Sequence, residues 1–174
     1  VGRCIAYRKD LKPLDIVISK RVILGDVDQV NEDNVKYGQV PGFEQVFDAS
    51  EDVVSYLESA FEKRTFSSVK EANFVSTSVD YHKPSQIYDI EEFDHILGFD
   101  TNVVFDTNTG GVAIGCSLTK VPFVSIKVVE RYLDKNSDVN TYLKAMKEYV
   151  NIGKAVVTCI GDIGRNEIIT EGGK

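Results

Sequence analysis

The sequence predicts one α/β domain, three layers deep (α/β/α), around a central mixed, mostly parallel sheet. Three observations predict it. Short apolar, β-branched runs alternate along the chain with longer amphipathic segments. The runs are apolar at most positions, as in strands covered on both faces. The chain has 174 residues without repeat or low-complexity stretch. That length suits a single domain over 1–174 able to bury its own core.

The elements follow in order. Asp15 to Ser19 and Val22 to Leu24 are two β-rich runs separated by Lys20 and Arg21, and they read as strands. Gly25 to Gly42 is polar and closes on Tyr37-Gly38-Gln39-Val40-Pro41-Gly42, a loop with turn chemistry. Val53, Val54, Leu57, Ala60 and Phe61 recur at helical spacing, so a helix is expected to about Lys63, capped by Ser50 or Asp48, with Glu51 and Asp52 in its first turn. Asn73 to Val79 reads as a strand, Ile90 to Leu97 as a short helix and Thr101 to Phe105 as a further strand. Thr109 to Leu118 contains Gly110, Gly111 and Gly115, each costing a helix about 1 kcal/mol against Ala, which makes sense for a helix lying close on a sheet. Pro122 to Val129 is expected to be a buried strand and Asn140 to Ile160 a long amphipathic helix. The tail from Glu167 has no periodicity.

Composition excludes several function classes. The net charge is −7, and an acidic surface repels phosphate backbones, so no nucleic-acid partner is expected. No apolar run approaches the roughly 20 residues a bilayer requires, so no membrane partner is expected. Val1 to Ile5 resembles neither a signal nor a transit peptide, and a cytoplasmic location is expected. Cys4, Cys116 and Cys159 are an odd number without close spacing, and His82 and His95 complete no ligand pattern with them. Reduced thiols are expected. Asp26 and Asp28 on one loop are too few ligands for a metal, and no metal or cofactor is expected. In α/β sheets ligands bind beyond the carboxyl ends of strands, which points to the segments after Val79, Phe105 and Val129.

Four stretches around those strand ends carry a family resemblance. Leu11 to Ser19 is similar to the motif LKVGDIVVS. Gly25-Asp26-Val27-Asp28, followed by Tyr37 to Gly42, is similar to HDADV…YGQLPG. Asn73 to Ser76 is similar to the strand ending LIVSGD. Val104 to Arg131 is similar to the stretch running from AVEMEA to VPFVVVRAISD. In this order they resemble the nucleoside phosphorylase and nucleosidase superfamily, and within it the methylthioadenosine/S-adenosylhomocysteine nucleosidases. The resemblance implies an α/β fold, hydrolysis of the N-glycosidic bond of a purine nucleoside, and a homodimer whose contact falls on Tyr37 to Phe43.

The resemblance also assigns roles, and two of its carboxylates are replaced. The glutamate that clamps the ribose hydroxyls in the family falls on Asn108, in the triplet Asp106-Thr107-Asn108. The aspartate that protonates the purine falls on Arg131, in Val129-Glu130-Arg131. Arginine stays protonated and is no general acid. Glu130 is the possible substitute, but a one-residue slip on a strand reverses its face unless a bulge intervenes. Tyr81 and His82, next to Asp80, lie where the family stacks an aromatic on the base. The candidate substrate-binding residues are therefore Asp106, Thr107, Asn108, Asp80 and Tyr81, with Arg131 and Glu130 at the catalytic position. The family's glycine-rich turn falls on Gly2 to Tyr7, where one glycine remains, and the family's N-terminal third has no counterpart. Two functions stay open: a nucleosidase with impaired or lost hydrolysis, or an inactive relative that binds a ligand or partner. Arg131 reads either as a substitution in a site no longer in demand or as the anchor of an anion.

Overall fold

The computed structural model describes residues 1–7, 10–29, 34–63, 68–81, 84–86, 95–96, 102–133 and 139–165. The expected helix over 90–97 lies outside these apart from His95 and Ile96, as do His82 and the tail from 167. The strands are β1 (Gly2–Ala6), β2 (Ile16–Leu24), β3 (Phe47–Asp48), β4 (Val69–Ser76), β5 (Val103–Asp106) and β6 (Ile126–Tyr132). The helices are α1 (Glu51–Glu62), α2 (Thr109–Thr119) and α3 (Val139–Arg165).

The two β-rich runs at the start form one strand rather than two. β2 pairs with β4 on both sides of Lys20 and Arg21, and the register slips between Ser19 and Val22. A bulge of this kind bends a strand and increases its twist. The bend lets β2 reach two further partners: Ile16 to Ile18 pair with β6, and Arg21 and Val22 pair with β3. The strand order is β3-β2-β4-β5-β1-β6, with β6 returning to β2. Five strands thus close on themselves and β3 hangs from β2, so among the described residues no long edge is left open for aggregation.

The sheet is mixed, with three parallel and three antiparallel pairings, and the parallel ladders are the longer ones. β1–β6, β2–β4 and β4–β5 are parallel, while β1–β5, β2–β3 and β2–β6 are antiparallel. The antiparallel pairs arise because β1 runs against β5, and β6 and β3 run against β2. Of Gly2 to Tyr7, where the resemblance places a glycine-rich turn, Gly2–Ala6 form strand β1 instead. Its buried Cys4, Ile5 and Ala6 are small or β-branched and suit a covered strand. The strand expected from Pro122 enters the sheet only at Ile126.

Alternate residues of each strand feed different clusters, as a period of two requires. Ile16, Ile18, Ile126 and Val128 pack with Val54, Leu57 and Phe61 of α1 and Ala145 and Ile152 of α3. Val17, Cys4, Val104 and Val129 pack with Ala113 of α2. Ile5, Ile23, Val75 and Phe105 form a third cluster with Tyr37 and Tyr81. α1 begins after Ser50 with Glu51 and Asp52 in its first turn, but no side chain caps it.

Of the α2 glycines only Gly110 lies against the sheet. A Cβ there meets Leu24 Cδ2 at 2.4 Å and Ser76 Cβ at 3.0 Å, whereas Gly111 and Gly115 have nothing within 4 Å. Gly110→Ala is therefore expected to destabilise by about 1 kcal/mol or more, overpacking exceeding the helix-propensity gain. Gly111→Ala and Gly115→Ala are expected to stabilise by roughly 0.5–1 kcal/mol. Urea denaturation of the three single variants reads the opposite signs directly.

Candidate active site

The site begins at the end of β5. Asp106 closes the strand and is buried, and α2 starts three residues later. Its carboxylate accepts the Thr109 hydroxyl and the Thr109 backbone N–H, the latter at 3.4 Å. It also pairs with Lys127 Nζ at 2.7 Å, and these side chains are only 1% and 3% exposed. The same ammonium donates to Asn108 Oδ1. Thr109 Oγ1 reaches Ser125 Oγ at 3.0 Å. Lys127 thus joins two of the candidate substrate-binding residues. No motif marks it; the usable signal is one charge inside the apolar run Val124-Ser125-Ile126-Lys127-Val128-Val129. Charge at a position walled by β-branched neighbours implies a buried partner. Thr107 is exposed and joins none of these contacts.

Four residues along β6 lies the second group. β1 pairs with β6 as Cys4 with Val129 and Ile5 with Arg131, so Glu130 is the extra residue of a bulge. A bulge changes where the extra side chain points. It directs Glu130 at Arg3, whose Nη1 donates to Oε2 at 3.0 Å, while Nη2 bonds Asp80 at 3.1 Å. Burial works to lower the Arg3 pKa, but Glu130 and Asp80 outweigh it and the net shift is upward.

Arg131 points elsewhere. It is 6% exposed, donates to the Tyr81 carbonyl at 2.7 Å and to the Tyr132 carbonyl at 3.3 Å. Burial lowers its pKa, opposed by Glu130 and Asp80. Tyr81 is buried with its ring centroid 5.4 Å from that of Phe105. Burial, and then Asp26, raise its pKa. Between the two groups sits Cys4, whose thiol burial holds well above its ordinary range, with Asp106 and Glu130 adding to the effect.

Two ion-pair groups therefore stand where the resemblance places sugar and base. Arg3, Lys127 and Arg131 face Asp80, Asp106 and Glu130. Each cation already meets a carboxylate or a carbonyl, so the group offers little to an added anion. A cleft of about 370 Å³ lies away from these residues, lined by Phe47, Ser50, Cys116, Lys120 and Phe123 among others. A cavity of about 230 Å³ does touch a candidate residue, between Asp26, Asp28, Tyr37 and Tyr81. Among the described residues no three or more His, Cys, Asp or Glu side chains gather as a metal site. No helix among them is long and apolar enough to cross a membrane.

No protein-family model matches the chain. In sequence it is 29% identical over 139 residues to the 5'-methylthioadenosine/S-adenosylhomocysteine nucleosidase of Bacillus velezensis, covering 80% of this chain and 58% of that protein. The Bacillus cereus nucleosidase is 27% identical over the same lengths. In structure the chain matches the Neisseria meningitidis nucleosidase, crystallised with methylthio-immucillin-A, with a TM-score of 0.75, 21% identity, and 91% of this chain and 66% of that one covered. The Campylobacter jejuni nucleosidase matches with a TM-score of 0.77 and 12% identity over 91% and 66%.

The chain resembles the methylthioadenosine/S-adenosylhomocysteine nucleosidases in sequence and in fold. It spans about 58% of the length of the curated nucleosidases it matches. The chain carries Asn108 and Arg131 in the two settings just described, one under a buried ammonium and the other bound to backbone carbonyls.

Proposed function

We propose that this chain is a nucleosidase-like domain of purine nucleoside chemistry in which N-glycosidic hydrolysis is impaired by its own basic side chains. The observation that carries the reading is the Lys127 ammonium on Asn108 Oδ1 and Asp106. The acceptor that the resemblance assigns to the ribose is thereby engaged within the protein. Nucleosidase relatives, one of them crystallised with a methylthio nucleoside analogue, support the substrate class.

Cleaving a nucleoside requires a proton at the leaving base and negative charge near the sugar as its positive charge develops. Arg131 supplies neither, because it remains a cation and its hydrogens are directed at carbonyls. Glu130 leaves the sheet register at the bulge, yet its carboxylate is paired with Arg3.

Adenine release from methylthioadenosine, followed chromatographically, tests the reading. Loss of a positioned acid alone costs about 10²–10⁴ in rate, so release is expected under about 0.1 per second, at least about 100-fold below a typical kcat of about 10 per second in an ordinary range of about 1–10³. Turnover within that ordinary range would overturn it.

The second reading, an inactive member serving as an interaction partner, is favoured by the apolar surface of α3 described below. We place a homodimer contact on the loop Tyr37 to Phe43. Its polar groups are turned inward, Tyr37 Oη donating to the Gly25 carbonyl and Gln39 Nε2 to the Phe43 carbonyl, which leaves Pro41 and Gly42 as the exposed tip.

A further inference from the structure

α3 runs 27 residues, about 40 Å at 1.5 Å per residue. One face is used: Ala145, Ile152 and Ala155 are buried and Tyr149 and Val156 partly so, against α1 and the sheet. A second apolar row lies beside it. Leu143, Met146, Val150 and Val157 are between 43% and 71% exposed. With Gly153 they are spaced three, four, three and four apart. A single exposed leucine is ordinary, but a row held at this spacing over four turns is not. Alternation of three and four is the heptad seam by which one helix receives another, since 3.5 residues per turn keeps such a row facing a partner helix. At the middle of the row a Cβ on Gly153 meets nothing within 4 Å, so a partner backbone has room to approach closely there.

Charge selects the partner. Lys147 and Lys154, seven residues apart, border the row on its outer side. They are exposed in a chain whose net charge is −7. The other border is Tyr142 and Tyr149, which adjoin Arg3 and Glu130. A second copy crossing antiparallel at Gly153 sets Lys154 against Lys154. The acidic α1 has its apolar face committed to the core.

We propose that this row is a docking seam for an amphipathic helix that repeats its apolar residues every 3.5 positions and carries carboxylates on the flank facing Lys147 and Lys154. The proposal is independent of whether the site between β5 and β6 hydrolyses a nucleoside.

The test uses the full 174-residue chain and a labelled synthetic peptide of four heptads with Leu at the two seam positions and Glu on both flanks. The matching peptide with Lys on the flanks is the control. Fluorescence anisotropy is expected to show saturable binding of the acidic peptide, weakened by salt because the flank pairs are exposed. The basic peptide is expected to bind at least about tenfold more weakly. Val150→Asp is expected to weaken the acidic peptide at least about tenfold, and Lys147→Glu with Lys154→Glu several-fold, with unchanged circular dichroism since all three side chains are exposed. Failure of the acidic peptide to bind, or equal binding of both peptides, overturns the proposal. So does a chain that sediments as a dimer and becomes monomeric on Val150→Asp, which would make a second copy the occupant.

Discussion

Asp106→Ala is expected to lower the unfolding free energy by about 3–5 kcal/mol, a large part of the roughly 5–15 kcal/mol typical of a domain. The reason is the company Asp106 keeps. Its carboxylate faces Lys127 at 2.7 Å with almost no exposure on either side. It also accepts the Thr109 hydroxyl and backbone N–H at the start of α2. Removing it leaves the ammonium, among the described residues, with Asn108 Oδ1 alone, and the Thr109 backbone N–H and hydroxyl lose their carboxylate acceptor. Replacing both members of a buried pair by apolar groups avoids this, so Asp106→Leu with Lys127→Met is expected to recover most of the loss. Urea denaturation checks both, with an unchanged slope showing that stability rather than compactness changed. A loss under 1 kcal/mol for the single variant would mean that water reaches Lys127.

Arg131→Asp, the substitution that restores the family's acid, is expected to destabilise by about 3–5 kcal/mol and to raise adenine release little. Arginine at this position satisfies the Tyr81 and Tyr132 carbonyls from a site 6% exposed. Aspartate brings no donor to either. It also adds a carboxylate where Glu130 and Asp80 already favour positive charge. At about 2–4 °C per kcal/mol for a chain of this size, the melting temperature falls by about 6–20 °C. Arg131→Lys should lie between, keeping the charge but losing the planar fork that serves two acceptors. A stable Arg131→Asp variant with restored turnover would show that the arginine is dispensable to the fold and is the main block to catalysis.

Much of the secondary structure is legible from the residues. Val54, Leu57, Ala60 and Phe61 place α1 to within a residue at each end, because burial of one helical face imposes that spacing. The long C-terminal helix is legible for the same reason. The strands are less so. Lys20 and Arg21 look like a break between two strands, but they form a bulge inside one, since neighbouring β4 holds the register on both sides. The glycines of α2 share one local appearance, and only Gly110 is a packing glycine, because only its side of the helix meets Leu24 and Ser76.

The candidate site divides the same way. Asp106, Asn108, Glu130 and Arg131 are named by the sequence through motif order. Lys127 and Arg3 are not, and they decide what the named residues do. Arg3 meets Glu130 across 127 positions of chain, and Lys127 meets Asn108 across 19. No local spacing encodes such pairs; they exist only once β1, β5 and β6 lie side by side.

By itself the sequence determined the α/β class, the places of the three described helices and the resemblance to nucleosidases, with Asn108 and Arg131 standing where that resemblance implies carboxylates. These follow from period, composition and motif order, which are properties of neighbours in the chain. Tertiary structure alone decided that the sheet closes, that a bulge turns Glu130 toward Arg3, and that Lys127 is buried on Asp106. Those outcomes depend on which charges find partners when water is excluded, and burial makes an unpaired charge too costly for the fold to leave the matter open.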